Sequence, residues 1–221
     1  MIELAIQWKD FLNPEFYIQH GGLWLFLFIV FAETGLFAGF FLPGDSLLFV
    51  AGIYSNELAS ELFNLNNDVL NLFLLSILVF CAGVLGNTVG YWFGAASGKY
   101  LFQRKDSFFF KKKHLYAAQE FYEKHGAGAI VFARFLPIIR TFAPIIAGIV
   151  RMDKRRFSFY NIVGCISWVL VMLFSGHYLY KFFLDRFSFD LKSHLEIIVL
   201  GIIFVTTAPV IIKLVASGKK K

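Results

Sequence analysis

Residues 126–150 read GAGAIVFARFLPIIRTFAPIIAGIV, an apolar stretch with prolines at 137 and 144. It is 25 residues long and contains only two charged side chains, so it is long enough to cross a bilayer. Both of its flanks are strongly basic, however, and basic segments stay on the cytoplasmic side of a membrane. Pro137 and Pro144 can interrupt a helix, because proline lacks a backbone donor and clashes with the preceding turn. The stretch is therefore predicted to be a re-entrant hairpin that enters and leaves on the cytoplasmic side.

The composition of the whole chain agrees with a membrane location. Of its 221 residues, 58% are hydrophobic and 16% are charged, which is too apolar for an ordinary soluble domain. No charged side chain occurs in residues 69–98 or 157–180, and both runs exceed the roughly 20 residues that a crossing needs. The net charge of +6 is concentrated at the ends of apolar runs, where it sets membrane orientation, so no nucleic-acid partner is expected.

The charge pattern predicts a single all-α, polytopic membrane domain. Residues 99–125, 151–156 and the C-terminal tail are rich in lysine and arginine and are predicted to be cytoplasmic, whereas the acidic loop 55–68 is predicted to lie outside. The N-terminal residues have no basic leader before a short apolar core, so a cleaved signal peptide is not expected. The predicted segments are an interfacial segment 1–21, a first re-entrant hairpin 22–54, a transmembrane helix 69–98, a cytoplasmic amphipathic helix 106–125, the second hairpin 126–150, and transmembrane helices 157–180 and 196–215.

An internal repeat links the two predicted hairpins. Residues 41–53 read FLPGDSLLFVAGI and residues 135–149 read FLPIIRTFAPIIAGI; downstream of them lie SGKYLF and SGHYLY. The break in the first hairpin is assigned to Pro43 and Gly44. Two hairpins that enter from opposite sides form an inverted repeat, the arrangement with which many secondary transporters build a site at the midplane.

Four charged residues fall inside the apolar stretches, namely Glu33, Asp45, Arg134 and Arg140. A central Arg or Asp costs about 2.5–3.5 kcal/mol on the lenient insertion scale, so such residues mark function. The two arginines, with Thr141, are predicted to bind a phosphate or carboxylate, while the two acids carry protons. The alternative is that the four residues form two structural salt bridges that hold the hairpins together.

Glycines recur every four residues along 69–98, at Gly86, Gly90, Gly94 and Gly98. They predict a helix face to which another helix can pack closely, either within the chain or in a homo-oligomer.

Polar residues and cysteines also occur in the apolar runs. Interhelical hydrogen bonding is the preferred interpretation over substrate contact for Asn87, Thr88, Asn161 and Ser167. Cys81 and Cys165 are interpreted as small buried side chains, and no metal site or cofactor is predicted.

Four stretches of the chain resemble the DedA family, also called the SNARE-associated or VTT-domain family, over roughly residues 20–185. They are ETGLFAGFFLPGDSLLFVAG (33–52), GVLGNTVGYWFG (83–94), FARFLPIIRTFAPIIAG (132–148) and RRFSFYNIVGCISW (155–168). The resemblance implies a bacterial inner-membrane protein with two opposed re-entrant hairpins, in which Glu33, Asp45, Arg134 and Arg140 align with essential charged residues. Members are linked to proton-motive force, envelope integrity and transbilayer lipid movement, including the return of undecaprenyl phosphate to the cytoplasmic face.

The leading functional hypothesis is a proton-coupled flippase for an anionic lipid phosphate, such as undecaprenyl phosphate or a phospholipid. The alternatives are a proton-coupled carrier of small ions or drugs, an energy-independent lipid scramblase, and a non-transporting membrane organiser. An enzyme ranks last: Ser175-Gly176-His177 occurs in lipid phosphatases, but the Arg-Pro and Ser-Arg pairs that accompany it there are absent from this chain.

Overall fold

A computed structural model describes residues 14–36, 44–63, 65–103, 128, 130–131, 134, 137–195, 198 and 201. The described residues form helices and turns and contain no strand. The helices are α1 (Pro14–Gly35), α2 (Gly44–Ile53), α3 (Ser55–Ser60), α4 (Asp68–Gln103), α5 (Pro137–Ile149), α6 (Lys154–Val169), a π-helical segment (Leu170–Phe174), α7 (Ser175–Phe187) and a 3-10 turn (Leu191–His194). The predicted all-α class is thus confirmed.

Two helical runs are long and apolar enough to cross a membrane, Asp68–Gly98 and Lys154–Phe187. The first begins where the Asn67 side chain accepts hydrogen bonds from the backbone N–H groups of Val69 and Leu70, at 3.0 and 3.1 Å. The second begins where Asp153 accepts from the N–H of Arg156, at 2.9 Å. The helices predicted over 69–98 and 157–180 are therefore both present and extend beyond those bounds.

Helix α1 is interrupted at Gly22, which has φ 57° and ψ −156°. A left-handed φ suits glycine because it has no Cβ to clash. The interruption leaves the N–H of Leu23 without a helical acceptor, and the Glu61 carboxylate accepts it at 2.9 Å. The chain therefore changes direction at the boundary that the sequence analysis placed between the interfacial segment and the first hairpin.

Helix α5 contradicts one expectation for the second hairpin. It begins at Pro137 and continues through Pro144 to Ile149, so Pro144 does not break the chain. Proline costs about 3 kcal/mol inside a helix. Burial of the neighbouring Ala143 and Ile145 offsets that cost, because tertiary packing overrides local preference.

Several predicted elements lie outside the described residues. They are the cytoplasmic helix 106–125, most of the C-terminal helix 196–215, residues 1–13 of the interfacial segment, and Pro43 in the first hairpin. Helix α2 starts at Gly44, directly after that proline.

The chain divides into two compact units. Unit 1 comprises Met1–Leu27, Leu42–Ile77 and Leu170–Lys221, and unit 2 comprises Phe28–Phe41 and Leu78–Val169. The division falls inside α1, inside α4, and at the junction of α6 with the π-helical segment.

In unit 1, helix α2 packs against the π-helical segment and α7. Gly52 lies against the backbone of Leu173, and Gly176 lies against the backbone of Phe49, where a Cβ atom would overlap the facing carbonyl oxygen. This close approach buries His177, whose Nδ1 lies 2.9 Å from Ser55 Oγ.

In unit 2, Gly86, Gly90, Gly94 and Gly98 form a glycine seam along α4. A Cβ atom at Gly94 or Gly98 would crowd the carbonyl oxygen of Ile145 or Ile149 on α5, and one at Gly86 would overlap Thr34 and the carbonyl of Phe31 on α1. Backbones can approach this closely because glycine has no side chain. The seam fixes α1 and α5 against α4, which is the packing role predicted for these glycines.

Candidate functional site

The site in unit 2 is built around a buried ion pair between Glu33 and Arg140. Glu33 lies near the C-terminal end of α1 and is 1% exposed, and Arg140 lies in the first turn of α5 with its side chain 7% exposed. The Arg140 guanidinium donates to Glu33 Oε1. Two of the charged residues predicted from sequence, 107 positions apart, are thus direct partners. A pair this deeply buried is screened much less by solvent and salt than a surface pair.

Arg134 supplies a second buried cation, in a turn just before α5. Its backbone N–H donates to the carbonyl of Val131 at 3.2 Å, and the residue is 4% exposed. In the orientation that fits its neighbours, the Asn87 carboxamide places its oxygen 2.9 Å from Arg134 Nη2 and its nitrogen 3.0 Å from the carbonyl oxygen of Thr34. The Cys165 thiol, on α6, donates to the carbonyl of Phe80 at 3.6 Å.

Trp168, on α6, lies beside both arginines. Its ring centroid is 5.4 Å from Arg134 Cζ and 5.1 Å from Arg140 Cζ, and the side chain is fully buried. A guanidinium within about 6 Å of an indole ring is attracted by the ring quadrupole. The indole therefore stabilises two like charges close together without neutralising either.

These side chains line a small cavity of about 10 Å³, which is about the room that one water molecule needs. Its lining residues are Thr34, Asn87, Arg134, Arg140 and Trp168. This is far smaller than the roughly 300–1,000 Å³ typical of a site for a drug-sized molecule, so a headgroup could bind only after the lining side chains move apart. Two guanidiniums that line one cavity favour an oxyanion, since guanidinium donors match phosphate and carboxylate oxygens.

The remaining predicted residues are placed as follows. Asp45 is buried in the first turn of α2 and belongs to unit 1, whereas Glu33, Arg134 and Arg140 come together in unit 2. Thr141 is buried on α5 next to Arg140 but is not among the residues that line the cavity.

Sequence reasoning missed Thr34 and Trp168 as site residues. It assigned Asn87 to interhelical hydrogen bonding, in agreement with the 3.0 Å contact from the Asn87 amide nitrogen to the Thr34 carbonyl oxygen on α1, but not to the cavity. Aromatic residues are common in membrane helices, so nothing in the pattern distinguishes Trp168. Only its position relative to the two arginines does so.

Two helices of membrane length and a buried ionic cluster agree with the class of integral membrane proteins, to which the relatives below belong by name. More narrowly, the chain belongs to the DedA family: its residues 42–178 match the VTT domain. Confirmation comes from a curated relative, Protein DedA of Escherichia coli (strain K12), which is 36% identical over 197 residues, covering 88% of this chain and 84% of the relative. The resemblance noted from the sequence is thus correct.

Other relatives are similar over most of their length. The uncharacterized membrane protein ML0287 of Mycobacterium leprae is 36% identical over 91% of this chain and 83% of its own length. The inner membrane protein YqjA of Escherichia coli (strain K12) is 31% identical over 80% of this chain and 75% of its own length. No solved structure shows a significant match to the chain. The names place these relatives in bacterial membranes and do not state what they transport or bind.

Proposed function

We propose that this protein moves an anionic lipid phosphate across the membrane and binds the headgroup at the unit 2 cavity. The observation that carries the proposal is the presence of two buried guanidiniums, Arg134 and Arg140, at a cavity with one paired carboxylate. Buried cations are costly to maintain, so their clustering in a membrane segment indicates a substrate or ion pathway.

The physical task of such a protein is to replace the water around a phosphate. Moving an ionised group from water into hydrocarbon without a partner costs a large free energy of solvation. Other contacts of a membrane protein cannot supply a free energy of that size. Preoriented guanidiniums replace that water, and charge-assisted hydrogen bonds to phosphate are about twice as strong as neutral ones. The acyl or prenyl tails stay in the bilayer.

The proposed coupling to protons involves Glu33. A phosphate that approaches Arg140 competes with the Glu33 carboxylate for the same guanidinium. A Glu33 carboxylate displaced from its partner would be a lone buried charge, which favours uptake of a proton. Asp45, the buried acid of unit 1, is proposed as a second proton-binding group. Protons and membrane lipids are thus the proposed partners, and the protein is proposed to be a transporter rather than an enzyme.

The proposed membrane arrangement follows the internal repeat. The segments containing α2 and α5 would re-enter the membrane from opposite sides as an inverted repeat, with α4 and the α6–α7 run spanning it in a multi-pass protein. The proposed location is the bacterial inner membrane, in line with the names of the relatives. The glycine seam contacts α1 and α5 of the same chain, so a homo-oligomer, if formed, would use other surfaces.

Reconstitution in liposomes tests the function. Purified full-length protein is given fluorescent polyprenyl phosphate or phospholipid and an imposed pH gradient, and lipid movement between leaflets is measured. We expect Arg134→Gln to abolish movement and Arg155→Gln, a change at an exposed arginine on α6, to leave it intact. The melting temperature of each variant establishes that it is folded.

Each other outcome supports a different function. Lipid movement that ignores the pH gradient supports energy-independent scrambling. Proton-coupled flux of small cations without lipid movement supports an ion or drug carrier. No transport of any kind by the wild type supports a membrane organiser and refutes the proposal.

A further inference from the structure

We infer that a basic surface at the start of α6 binds the headgroups of anionic membrane lipids. The surface consists of four exposed side chains, those of Arg151, Lys154, Arg155 and Arg156. All four lie in unit 2, in the turn between α5 and α6 and in the first turn of α6. The inference goes beyond the proposed transport function, because this surface shares no residue with the buried site.

Aromatic side chains indicate the depth of the basic surface in the membrane. Lys154 Nζ lies 4.8 Å from the centroid of the Trp92 ring on α4, and Trp92 is 60% exposed. Phe159, further along α6, is 61% exposed, and the Tyr91 hydroxyl donates to the carbonyl of Met152 at 2.6 Å. Tryptophan and tyrosine are enriched where the hydrocarbon meets the headgroups. Because α6 opens a helical run of membrane length, its first basic side chains reach the level of the lipid phosphates.

The basic surface carries an excess of positive charge. Residues 151–156 contain four basic residues and a single acid, Asp153, whose carboxylate accepts the backbone N–H of Arg156 at 2.9 Å. Lys154 contacts an indole ring, which attracts a cation without neutralising it. Basic residues next to a membrane helix attract anionic lipids, and each one raises the affinity about fivefold.

Arg151 has a backbone conformation that arginine rarely adopts. Its φ is 54°, in the left-handed region. The end of α5 is a Schellman motif: the N–H of Arg151 donates to the carbonyl of Gly148 at 3.0 Å, and the N–H of Met152 donates to the carbonyl of Ala147 at 2.9 Å. Glycine usually occupies this position because it has no Cβ to clash. The chain therefore keeps a charged residue where a neutral one would be less strained, which points to a role for the charge.

Membrane orientation alone does not account for an arginine at this position. The positive-inside rule counts the basic residues of a loop whatever their conformation, and Arg151→Gly would leave three in this turn. Interaction with the C-terminal dipole of α5 is a second alternative, and it predicts that Arg151 stabilises the protein in the absence of lipid. Contact with a lipid phosphate predicts stabilisation by Arg151 only when anionic lipid is present.

Quenching of Trp92 fluorescence by brominated lipids measures binding at the basic surface. Full-length protein in a neutral detergent at low salt is titrated with brominated phosphatidylglycerol, which is anionic, or brominated phosphatidylcholine, which has no net charge. The difference between this protein and Trp92→Phe isolates the quenching of Trp92. We expect phosphatidylglycerol to quench Trp92 at the lower concentration, and inorganic phosphate at the same concentration not to compete with it.

Neutral substitutions test the contribution of the charges. The double variant Arg151→Gln with Lys154→Gln should reduce the preference for phosphatidylglycerol about 25-fold, which is about fivefold for each charge. Arg186→Gln removes an exposed charge at the opposite end of the same helical run and should leave the preference unchanged. Arg151→Gly should reduce the preference about fivefold and raise the melting temperature of the lipid-free protein, so it replaces the double variant if that protein does not fold.

Three results would overturn the inference. The first is equal quenching of Trp92 by the two lipids, or a preference that persists in the folded double variant. The second is competition by inorganic phosphate, because the surface would then bind free anions rather than lipids. The third is a lower melting temperature of lipid-free Arg151→Gly, which would assign Arg151 to the dipole of α5.

The buried arginines provide the test that separates this inference from the proposed function. Arg134→Gln should retain the preference of Trp92 for phosphatidylglycerol, even though it is expected to abolish lipid movement. If Arg134→Gln loses the preference, the lipid binds at the buried site, which overturns the inference and supports the proposed function. A preference without lipid movement in liposomes supports the inference and refutes the proposed function.

Discussion

Replacing Glu33 by glutamine removes one charge from the buried pair with Arg140 and keeps the size of the side chain. The variant retains both guanidiniums beside Trp168 and removes the carboxylate to which Arg140 donates. We expect Glu33→Gln to be strongly destabilised as well as defective in transport.

The magnitude follows from the burial of the pair. Glu33 is 1% exposed and the Arg140 side chain 7%, so water cannot solvate the charge that is left behind. Removing one partner of a buried ion pair costs about 3–5 kcal/mol. For a protein of this size each kcal/mol corresponds to about 2–4 °C in melting temperature, so the expected decrease is about 6–20 °C.

Thermal unfolding in detergent measures this decrease, and the exposed pair of unit 1 supplies a matched control. Lys192 Nζ lies 2.7 Å from Glu57 Oε1, and the two side chains are 25% and 53% exposed. Glu57→Gln makes the same chemical change in solvent and should cost about 0–1 kcal/mol. A double variant, Glu33→Gln with Arg140→Met, should be more stable than Glu33→Gln alone, because one lone charge is removed.

A Glu33→Gln protein that melts at the same temperature as Glu57→Gln would refute the reasoning. It would mean that the Arg140 charge is solvated by other groups and does not depend on this carboxylate.

Three further predictions concern the surroundings of the site and the membrane topology. Gly94→Ala places a Cβ atom against the Ile145 carbonyl and should lower the melting temperature by several degrees, because overpacking costs about 1–3 kcal/mol. Gly90→Ala is the control: its Cβ atom would lie 3.4 Å from the nearest atom, so this change should be neutral or stabilising. Trp168→Leu removes two cation–π contacts of about 0.5–2 kcal/mol each and should reduce lipid movement more than Trp168→Phe does; equal losses would argue against a role for the ring face. In a cysteine-free background, Lys124→Cys and Asp153→Cys should both react with an impermeant maleimide from the cytoplasmic side, and labelling from opposite sides would exclude the second hairpin.

Features that depend on hydropathy and charge could be read from the sequence. Two charge-free runs predicted the long helices, because a bilayer crossing needs a fixed length of apolar residues. The isolated charges Glu33 and Arg140 predicted a buried ionic site, because the membrane makes unpaired charges costly.

Features that depend on which helices meet could not be read in the same way. The partner of a cation in a membrane helix is a matter of three-dimensional contact, so neither Trp168 nor Thr34 was recognised as part of the site. Pro144 was misassigned as a break because a local rule was applied where packing of α5 decides. The residues Leu170–Phe174 are of types that also form ordinary α-helices, so the sequence could not indicate the π-helical segment. Only the backbone structure shows it.

The glycine seam restricts how the chain can vary in evolution. At Gly94 the backbone of α4 lies directly against the backbone of α5, so almost any larger residue would force the two helices apart. On the outward side of the same helix, Leu85 is 60% exposed and can be exchanged for other apolar residues that lipid accommodates equally well. Substitutions at Gly94 are therefore expected to be tolerated far less often than substitutions at Leu85.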